Sequence, residues 1–374
     1  MITFPKQKTP TKADILLRLG GGDMIKAIQV AKESDKLDYQ MMLALQGGYE
    51  NSWEVVKELE KERPDCPRCA FNRGFHFLAK GRFQEGLELL ELGRELDVWG
   101  NVSTLGGMIQ PQWNGESLKD KSILVFMEGG DGDKIINIRF VKQLKEMGAN
   151  VIISSPIKLV KLFASMGNYT IVQQEVLKGV WHDYWIPSFS LPRVLKLEEK
   201  DLYSEPYITA DPKYIDKMSR LIKSDKLKVG IRWRGSAAHE HEQFRRFPFA
   251  DFLNAVDQEH VDLYSLQLSD CSDIDLKKHP QINNLEWALK SWEDTAGAIA
   301  NLDLVITSCT SVAHLSAAMG KPTWIIVPIL PYYIWAQAGN KSPWYDSVTL
   351  YRQATYNEWD KPLNEIRHNL KNLR

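Results

Sequence analysis

The stretch DTAGAIANLDLVITSCTSVAHLSAAMGKPTWIIVP, Asp294 to Pro328, decides the fold. It opens as a helix and runs into an apolar strand from Leu302 to Thr307. It turns at Ser308 to Ser311, continues as a helix of small residues, and returns as an apolar strand from Thr323 to Val327. Strand, helix and strand in that order mean parallel pairing in an α/β sheet. The hydroxyls and backbone N–H groups of the turn converge where strand meets helix, a ready site for an anion. Ala317, Ala318 and Gly320 let the second helix lie close on the sheet. His314 falls on its first turn; a lone helical histidine is usually structural, but this one stands beside the expected phosphate pocket.

The same alternation extends upstream and downstream. Lys228 to Trp233, Val261 to Leu268 and Ser347 to Tyr351 read as further strands of one series. An earlier series comprises a strand from Ser122 to Met127, a helix from Lys134 to Met147, a strand from Asn150 to Ser154 and a helix from Pro156 to Met166. Between them, Leu191 to Lys213 loses the pattern and carries several prolines, which suggests a domain junction. Two α/β domains in tandem are of ordinary size for such units.

Residues 11–100 read as helices, with apolar residues at helical spacing in Ala13 to Leu19, Met24 to Ala31, Tyr39 to Leu45, Trp53 to Leu59, Phe71 to Leu78 and Phe83 to Leu96. Gly47 and Gly81 lie 34 residues apart, as do Leu43 and Phe77, and Ser52 and Gly86. This phase resembles the tetratricopeptide repeat, in which small residues let paired helices approach and large ones fill the space between them. Gly86 and Gly93 stand where alanine is usual. Two copies are few for a free-standing solenoid, so the helical unit is expected to pack on the next domain. Residues 101–120, rich in Gly, Asn, Ser and Pro, read as a linker. The expected division is 1–105 helical, 115–225 the first Rossmann-like domain and 226–374 the second.

A chain of 374 residues is too long for one core, and its 44% hydrophobic and 25% charged residues are those of a soluble globular protein. With 47 basic against 48 acidic residues, bulk charge favours neither nucleic acid nor an anionic membrane. Cys66-Pro-Arg-Cys69 is half a zinc site or a redox pair by spacing alone, but no second pair follows, and two ordinary thiols is the plainer reading. The N-terminus lacks the apolar core of a signal peptide, and no apolar run reaches membrane-spanning length. The expected location is cytoplasmic.

Two further motifs carry chemistry. Glu128-Gly-Gly-Asp-Gly-Asp133 lies between a strand and a helix. Its three acidic residues argue against phosphate, and a carboxylate at a strand's C-terminal end faces the ligand crevice of an open α/β sheet, where a general base belongs. Asp133 as a helix N-cap is an equal reading. Ile231-Arg-Trp-Arg-Gly235, with Arg245 and Arg246 downstream, places arginines at a strand end, where guanidinium forks suit a diphosphate. Ion pairing with Glu240 and Glu242 is the alternative. His239 and His241 read as solvent-exposed rather than metal ligands.

At this point residues 119–360 resemble the glycosyltransferase part of bacterial tetratricopeptide-glycosyltransferase proteins, similar to O-GlcNAc transferase and to the ADP-heptose:lipopolysaccharide heptosyltransferases. The resemblance is carried by the acidic loop at Glu128 to Asp133 with Arg139, Trp233 to Gly235, Arg245 with Pro248, Ser265 to Gln267, Asp294 to Ala296, Asn301 to Asp303 and Thr310 to His314. Gly320 to Pro322, Ser342 to Tyr345, Arg352-Gln353 and Trp359 add to it. It implies a GT-B fold: two Rossmann-like domains facing a cleft, here behind a helical unit.

The resemblance also implies roles. Asp133, with Glu128 beside it, is expected to be catalytic, taking the acceptor's proton. Arg234, Arg245, Gln267, Thr310, Ser311 and His314 are expected to bind the donor, a nucleotide-diphosphate sugar linked to UDP, GDP or ADP. No cofactor and no metal are implied, since basic groups and helix dipoles offset the leaving diphosphate in such enzymes. Transfer with inversion to a hydroxyl or amide is expected, on a protein, glycan, lipid-linked sugar or modified DNA. Three departures stand out: Cys309 replaces the usual Asp that contacts the donor sugar, Ile334 stands where Arg is common, and Asp131 adds an acid to the loop. A catalytically inactive carbohydrate- or protein-binding module is the alternative, and nucleotide-sugar epimerisation ranks last.

Overall fold

The computed structural model describes residues 11, 13, 23–96, 98, 108–177, 179–202, 204–236, 242–268 and 274–373. The Ala13 to Leu19 helix lies mostly outside them, as do His239, His241, Cys271 and residues 101–107.

The helical unit is built from α1 (Met24–Ser34), α2 (Lys36–Asn51), α3 (Trp53–Glu62), α4 (Pro67–Ala79) and α5 (Phe83–Leu90). Local signals set the ends: the Asp23 carboxylate takes the Lys26 N–H at 3.0 Å, and Pro67 opens α4 where its missing N–H costs nothing. Short connections pair these helices into hairpins. A Cβ on Gly86 would stand 2.8 Å from the Gly74 carbonyl oxygen, so the small residues do permit the close approach of α4 and α5. The expected helix from Phe83 to Leu96 stops at Leu90 and tightens into a 3₁₀ turn at Glu91–Gly93.

The described part of the expected linker, residues 108–120, is not a free connection. Trp113 is buried, its backbone N–H donates to the Trp185 carbonyl at 2.8 Å, and Gln112 bridges Trp185 along the sheet edge. Such anchoring is invisible in a composition of Gly, Asn, Ser and Pro.

The first sheet holds β1 (Ser122–Phe126), β2 (Asn150–Ser155), β3 (Thr170–Gln173) and β4 (Tyr184–Pro187), all parallel, in the order β3-β2-β1-β4. The expected helix after β1 is broken into α6 (Asp131–Asn137), a 3₁₀ turn and α7 (Val141–Glu146). Side chains compete for its carbonyls: Asn137 Nδ2 donates to Asp133 O at 2.9 Å and Arg139 Nε to Ile136 O at 3.0 Å. Helix α8 (Ile157–Ala164) follows β2, and α9 (Leu191–Val194) follows β4.

The second sheet holds β5 (Leu227–Arg232), β6 (Val261–Ser265), β7 (Ile282–Asn284), β8 (Leu304–Ser308), β9 (Thr323–Val327) and β10 (Val348–Arg352). All are parallel, in the order β10-β9-β8-β5-β6-β7. This is the strand order of the dinucleotide-binding fold, whose ligand crevice opens where the winding reverses, here between β5 and β8. All five residues of β8 are buried, as a strand covered on both faces requires. Further helices are α10 (Pro212–Ser219), α11 (Glu242–Arg245), α12 (Phe249–Val256), α13 (Trp292–Ala300), α14 (Ser311–Ala318) and α15 (Asp360–Asn372).

The segment 207–219, expected with the first domain, packs on the second. The Tyr207 and Ile208 N–H groups bond the Ala318 carbonyl, and α10 lies on α13 so closely that a Cβ on Gly297 would stand 2.5 Å from the Tyr214 carbonyl oxygen. One continuous apolar core runs through all three units, from Phe75 and Phe83 through Ile123 and Phe140 to Val305 and Trp344. A second core, with Val229, Ile231, Phe252 and Ile366, fills the far side of the second sheet under α12 and α15. The α/β architecture expected from the sequence, two parallel-sheet units about a cleft behind a helical unit, is the one observed.

Candidate functional site

The C-terminal ends of β1 and of β5 and β8 open into one cleft of about 1410 Å³. The first unit contributes Met127 to Lys134, Lys158 and Lys161; the second contributes Arg232, Arg245, Lys290 and Thr310 to Val312, with His314. The helical unit closes a third side with Leu45, Phe71 and Phe75.

On the first side, Glu128 follows β1 and is 5% exposed. Burial pushes its carboxyl up from the usual range, and Arg94 of the helical unit opposes this by gripping both oxygens, Nη2 to Oε2 at 3.1 Å. The same guanidinium reaches Ser190 Oγ at 2.9 Å. The expectation of Glu128 as a free catalytic carboxylate is thereby corrected: it is a paired anion that ties the helical unit to β1. Asp131 accepts from Trp292 Nε1 at 3.1 Å across the cleft and pairs with Lys158 at 2.8 Å.

Asp133 is half-buried at the third position of α6. Its Oδ2 takes the Gly130 N–H at 2.8 Å, and its Oδ1 takes the hydroxyl of Tyr332, from the second unit, at 3.0 Å. Capping and facing the cleft are therefore not alternatives, although the N-cap residue itself is Gly130. Burial holds the Asp133 carboxyl above the usual carboxylate range, against the pull of those two donors.

On the second side, α14 begins at Thr310, and no side chain caps it. Thr310 Oγ1 instead lies 3.2 Å from Thr307 Oγ1. The first-turn N–H groups and the Ser311 hydroxyl thus face the cleft with the positive end of the helix dipole. Arg245 is fixed beside this turn: Nε meets Glu242 Oε2 at 2.5 Å and Nη1 donates to the Cys309 carbonyl at 2.5 Å. Burial pushes the Cys309 thiol up to about 12, so it brings no charge. His314 stacks on Trp335 at 5.0 Å with Nδ1 3.3 Å from the Tyr345 hydroxyl. Burial, with Arg139 and Arg245 nearby, pushes it down to about 3, so the ring is neutral.

The two sides touch at Gly132, where a Cβ would stand 3.0 Å from His314 Cδ2 and 3.4 Å from the Ser311 Cα. A side chain there would press on the His314 ring, so the glycine eases the close approach of the acidic loop to the start of α14.

Asp133, Arg245, Thr310, Ser311 and His314 are thus brought together. Two expected donor residues are not. Arg234 turns into a separate pocket of about 310 Å³ with Trp233, Arg246 and Phe249, while Arg232, two residues earlier, lines the cleft in its place. Gln267 is buried, and its Oε1 takes the Arg234 N–H at 3.1 Å, so it holds the β5 loop. Arg139 is buried in a box of Tyr207, Tyr345 and Trp344, an interdomain tie rather than a ligand contact. Asp294 is held by Lys217 at 2.6 Å. Among the described residues, no group of three or more His, Cys, Asp or Glu is disposed to hold a metal ion. The residues that the sequence reading missed are Tyr332, Arg94, Lys158 and Trp292.

No protein-family model matches the sequence. Protein FlbA of Caulobacter vibrioides is 23% identical over 355 residues, covering 83% of this chain and 58% of FlbA, so the chain spans little more than half the length of that curated relative. Among solved structures, a family 9 glycosyl transferase from Veillonella parvula is similar with TM-score 0.48 and 12% identity, covering 64% of this chain and 88% of that one. E. coli ADP-heptose lps heptosyltransferase II gives TM-score 0.48 and 12% identity, over 67% of this chain and 98% of the other. The Thermobaculum terrenum O-GlcNAc transferase covers 97% of this chain and 91% of its own, at TM-score 0.31 and 9% identity. At these identities and TM-scores the likenesses assign no activity to this chain, whose two parallel sheets about a cleft follow from its own strand order.

Proposed function

We propose that this chain moves a sugar from a nucleotide-diphosphate sugar to an acceptor hydroxyl or amide. The observation that carries the reading is the pairing, in one cleft, of a half-buried carboxylate with an uncapped helix N-terminus flanked by an arginine. In the reaction, the acceptor's proton passes to Asp133 as its hydroxyl oxygen or amide nitrogen attacks the anomeric carbon. The bond from that carbon to the diphosphate breaks on the opposite face, giving inversion. The departing charge is received by the α14 N–H groups, Thr310, Ser311 and Arg245. A carboxylate raised by burial is the better base for this step. Basic groups and the helix dipole stand in the role a metal would otherwise fill. The helical unit, read as tetratricopeptide-like, serves as brace and third wall. Action in the cytoplasm belongs to the same reading; among the described residues no helix is long and apolar enough to cross a membrane.

A second reading, a binding module without turnover, is favoured by one observation: Glu242 already offsets Arg245, and both Asp133 oxygens are engaged. Melting curves with UDP, GDP and ADP test the donor half. One of them should raise the melting temperature; if none does and calorimetry registers no heat, the donor site is wrong. Asp133→Asn should keep nucleotide binding and lose transfer, while full turnover by that variant removes Asp133 as base.

A further inference from the structure

Asp133 is held from two units at once. Gly130, in its own loop, donates to Oδ2, whereas Tyr332 lies 199 residues away, in the connection after β9. That connection is itself fixed by the helical unit. The Pro331 carbonyl accepts the Tyr49 hydroxyl at 2.6 Å, and Tyr333, whose ring lies tilted against that of Tyr332 at 4.5 Å, packs against Phe75 at 6.2 Å. The Tyr332 hydroxyl is therefore presented at a set height above Oδ1. A carboxylate oxygen has a second lone pair, so Oδ1 can accept from tyrosine and still take a proton from the cleft.

We propose that Tyr332 is the positioning residue for Asp133, reaching from the second α/β unit to orient the base on the first. This rests on the reading of Asp133 as the base. Separating the units by even a few ångströms would break the bond, because the donor and the acceptor belong to different sheets.

The charged and titratable groups around Asp133 are Glu128, Asp131 and Lys134 from its own loop and helix, Tyr332 and Tyr333 from the β9–β10 connection, and His314 from α14. The tyrosine hydroxyl stabilises the ionised form of Asp133, so its removal moves the carboxyl further up.

The test is Tyr332→Phe, which keeps the ring and its packing on Tyr333. In turnover, the acid limb of the pH profile should move up by about one pH unit, and kcat should fall roughly tenfold with the donor KM unchanged. A second readout needs no activity. A carboxyl whose folded pKa lies above its unfolded value destabilises the fold as it ionises, so stability falls as pH rises between the two values. The fall in melting temperature as pH rises above the ordinary carboxylate range should therefore extend to higher pH in Tyr332→Phe than in the parent. In an Asp133→Asn background, the same substitution should leave the pH dependence of melting unmoved. The proposal is overturned if Tyr332→Phe moves neither profile, or if it moves the melting profile equally with and without the Asp133 carboxylate. Full turnover by Asp133→Asn sinks the base assignment instead, and the melting arm still decides whether the two side chains are coupled.

Discussion

The two strand-to-helix junctions that meet in the cleft are built alike and used oppositely. In both, a buried parallel strand ends, the chain turns, and a helix begins pointing into the space between the sheets. The β1–α6 junction carries its own acid, and Asp133 satisfies the Gly130 N–H. The β8–α14 junction has hydroxyls and a thiol but no acid, and its helix start is uncapped. The same backbone geometry is therefore filled by an acid on one side and left uncapped on the other. Which use prevails depends on two or three side chains, not on the fold.

The two junctions also differ in how burial acts on their titratable groups. It raises Asp133 and depresses His314, both toward the neutral form. Their contributions to stability consequently run in opposite directions with pH.

The largest expected break in this comparison comes from the acidic side. Arg94→Ala leaves Glu128 as a buried anion without its partner and should cost about 3 kcal/mol in urea unfolding at neutral pH. Adding Glu128→Gln should recover most of that loss; if the single variant is as stable as the parent, the pair contributes nothing.

A smaller effect lies on the other side. His314 is depressed from 6.5 to about 3, so the unfolded chain takes up a proton that the folded chain refuses, and stability is lost as pH falls below 6.5. Between pH 6.5 and 4.5 this amounts to about 2 kcal/mol. His314→Phe, which keeps a ring on Trp335, should flatten that acid slope in unfolding curves, and an unchanged slope contradicts the neutral assignment.

The smallest change in energy makes the second junction imitate the first. Ser311→Asp supplies an acid to the open start of α14 and should stabilise the fold by roughly 0.5–1 kcal/mol. It should also abolish any melting shift produced by UDP, GDP or ADP. Retention of that shift places the nucleotide elsewhere.

Much of this contrast was legible in the sequence, because it is local. The apolar runs of β1, β2, β5, β8 and β9 and the turn at Ser308 to Ser311 announce themselves within a few residues. The strands at Thr170–Gln173, Tyr184–Pro187 and Ile282–Asn284 did not. Each has three or four residues, and each mixes polar or aromatic side chains into an edge position where neighbours, not composition, fix the pairing. The partners of the site are harder still. Arg94 finds Glu128 from a different unit, and Tyr332 finds Asp133 across 199 residues, with no spacing to betray either. Arg232 and Arg234 show the limit from the other direction. The alternation was visible, but which of the two faces the cleft depends on the sheet's neighbours.

The helical unit bears on both α/β units at once, through Arg94 on Glu128, Gln84 on the Leu197 carbonyl and Tyr49 on the Pro331 carbonyl. It acts as a splint across the two units. A fragment beginning at residue 108 would bare the ring of Tyr333 that Phe75 covers and that of Trp344 beneath Phe83, and would strand the Glu128 carboxylate. Such a fragment would be sticky before it was inactive, and an assay on it would report aggregation rather than chemistry.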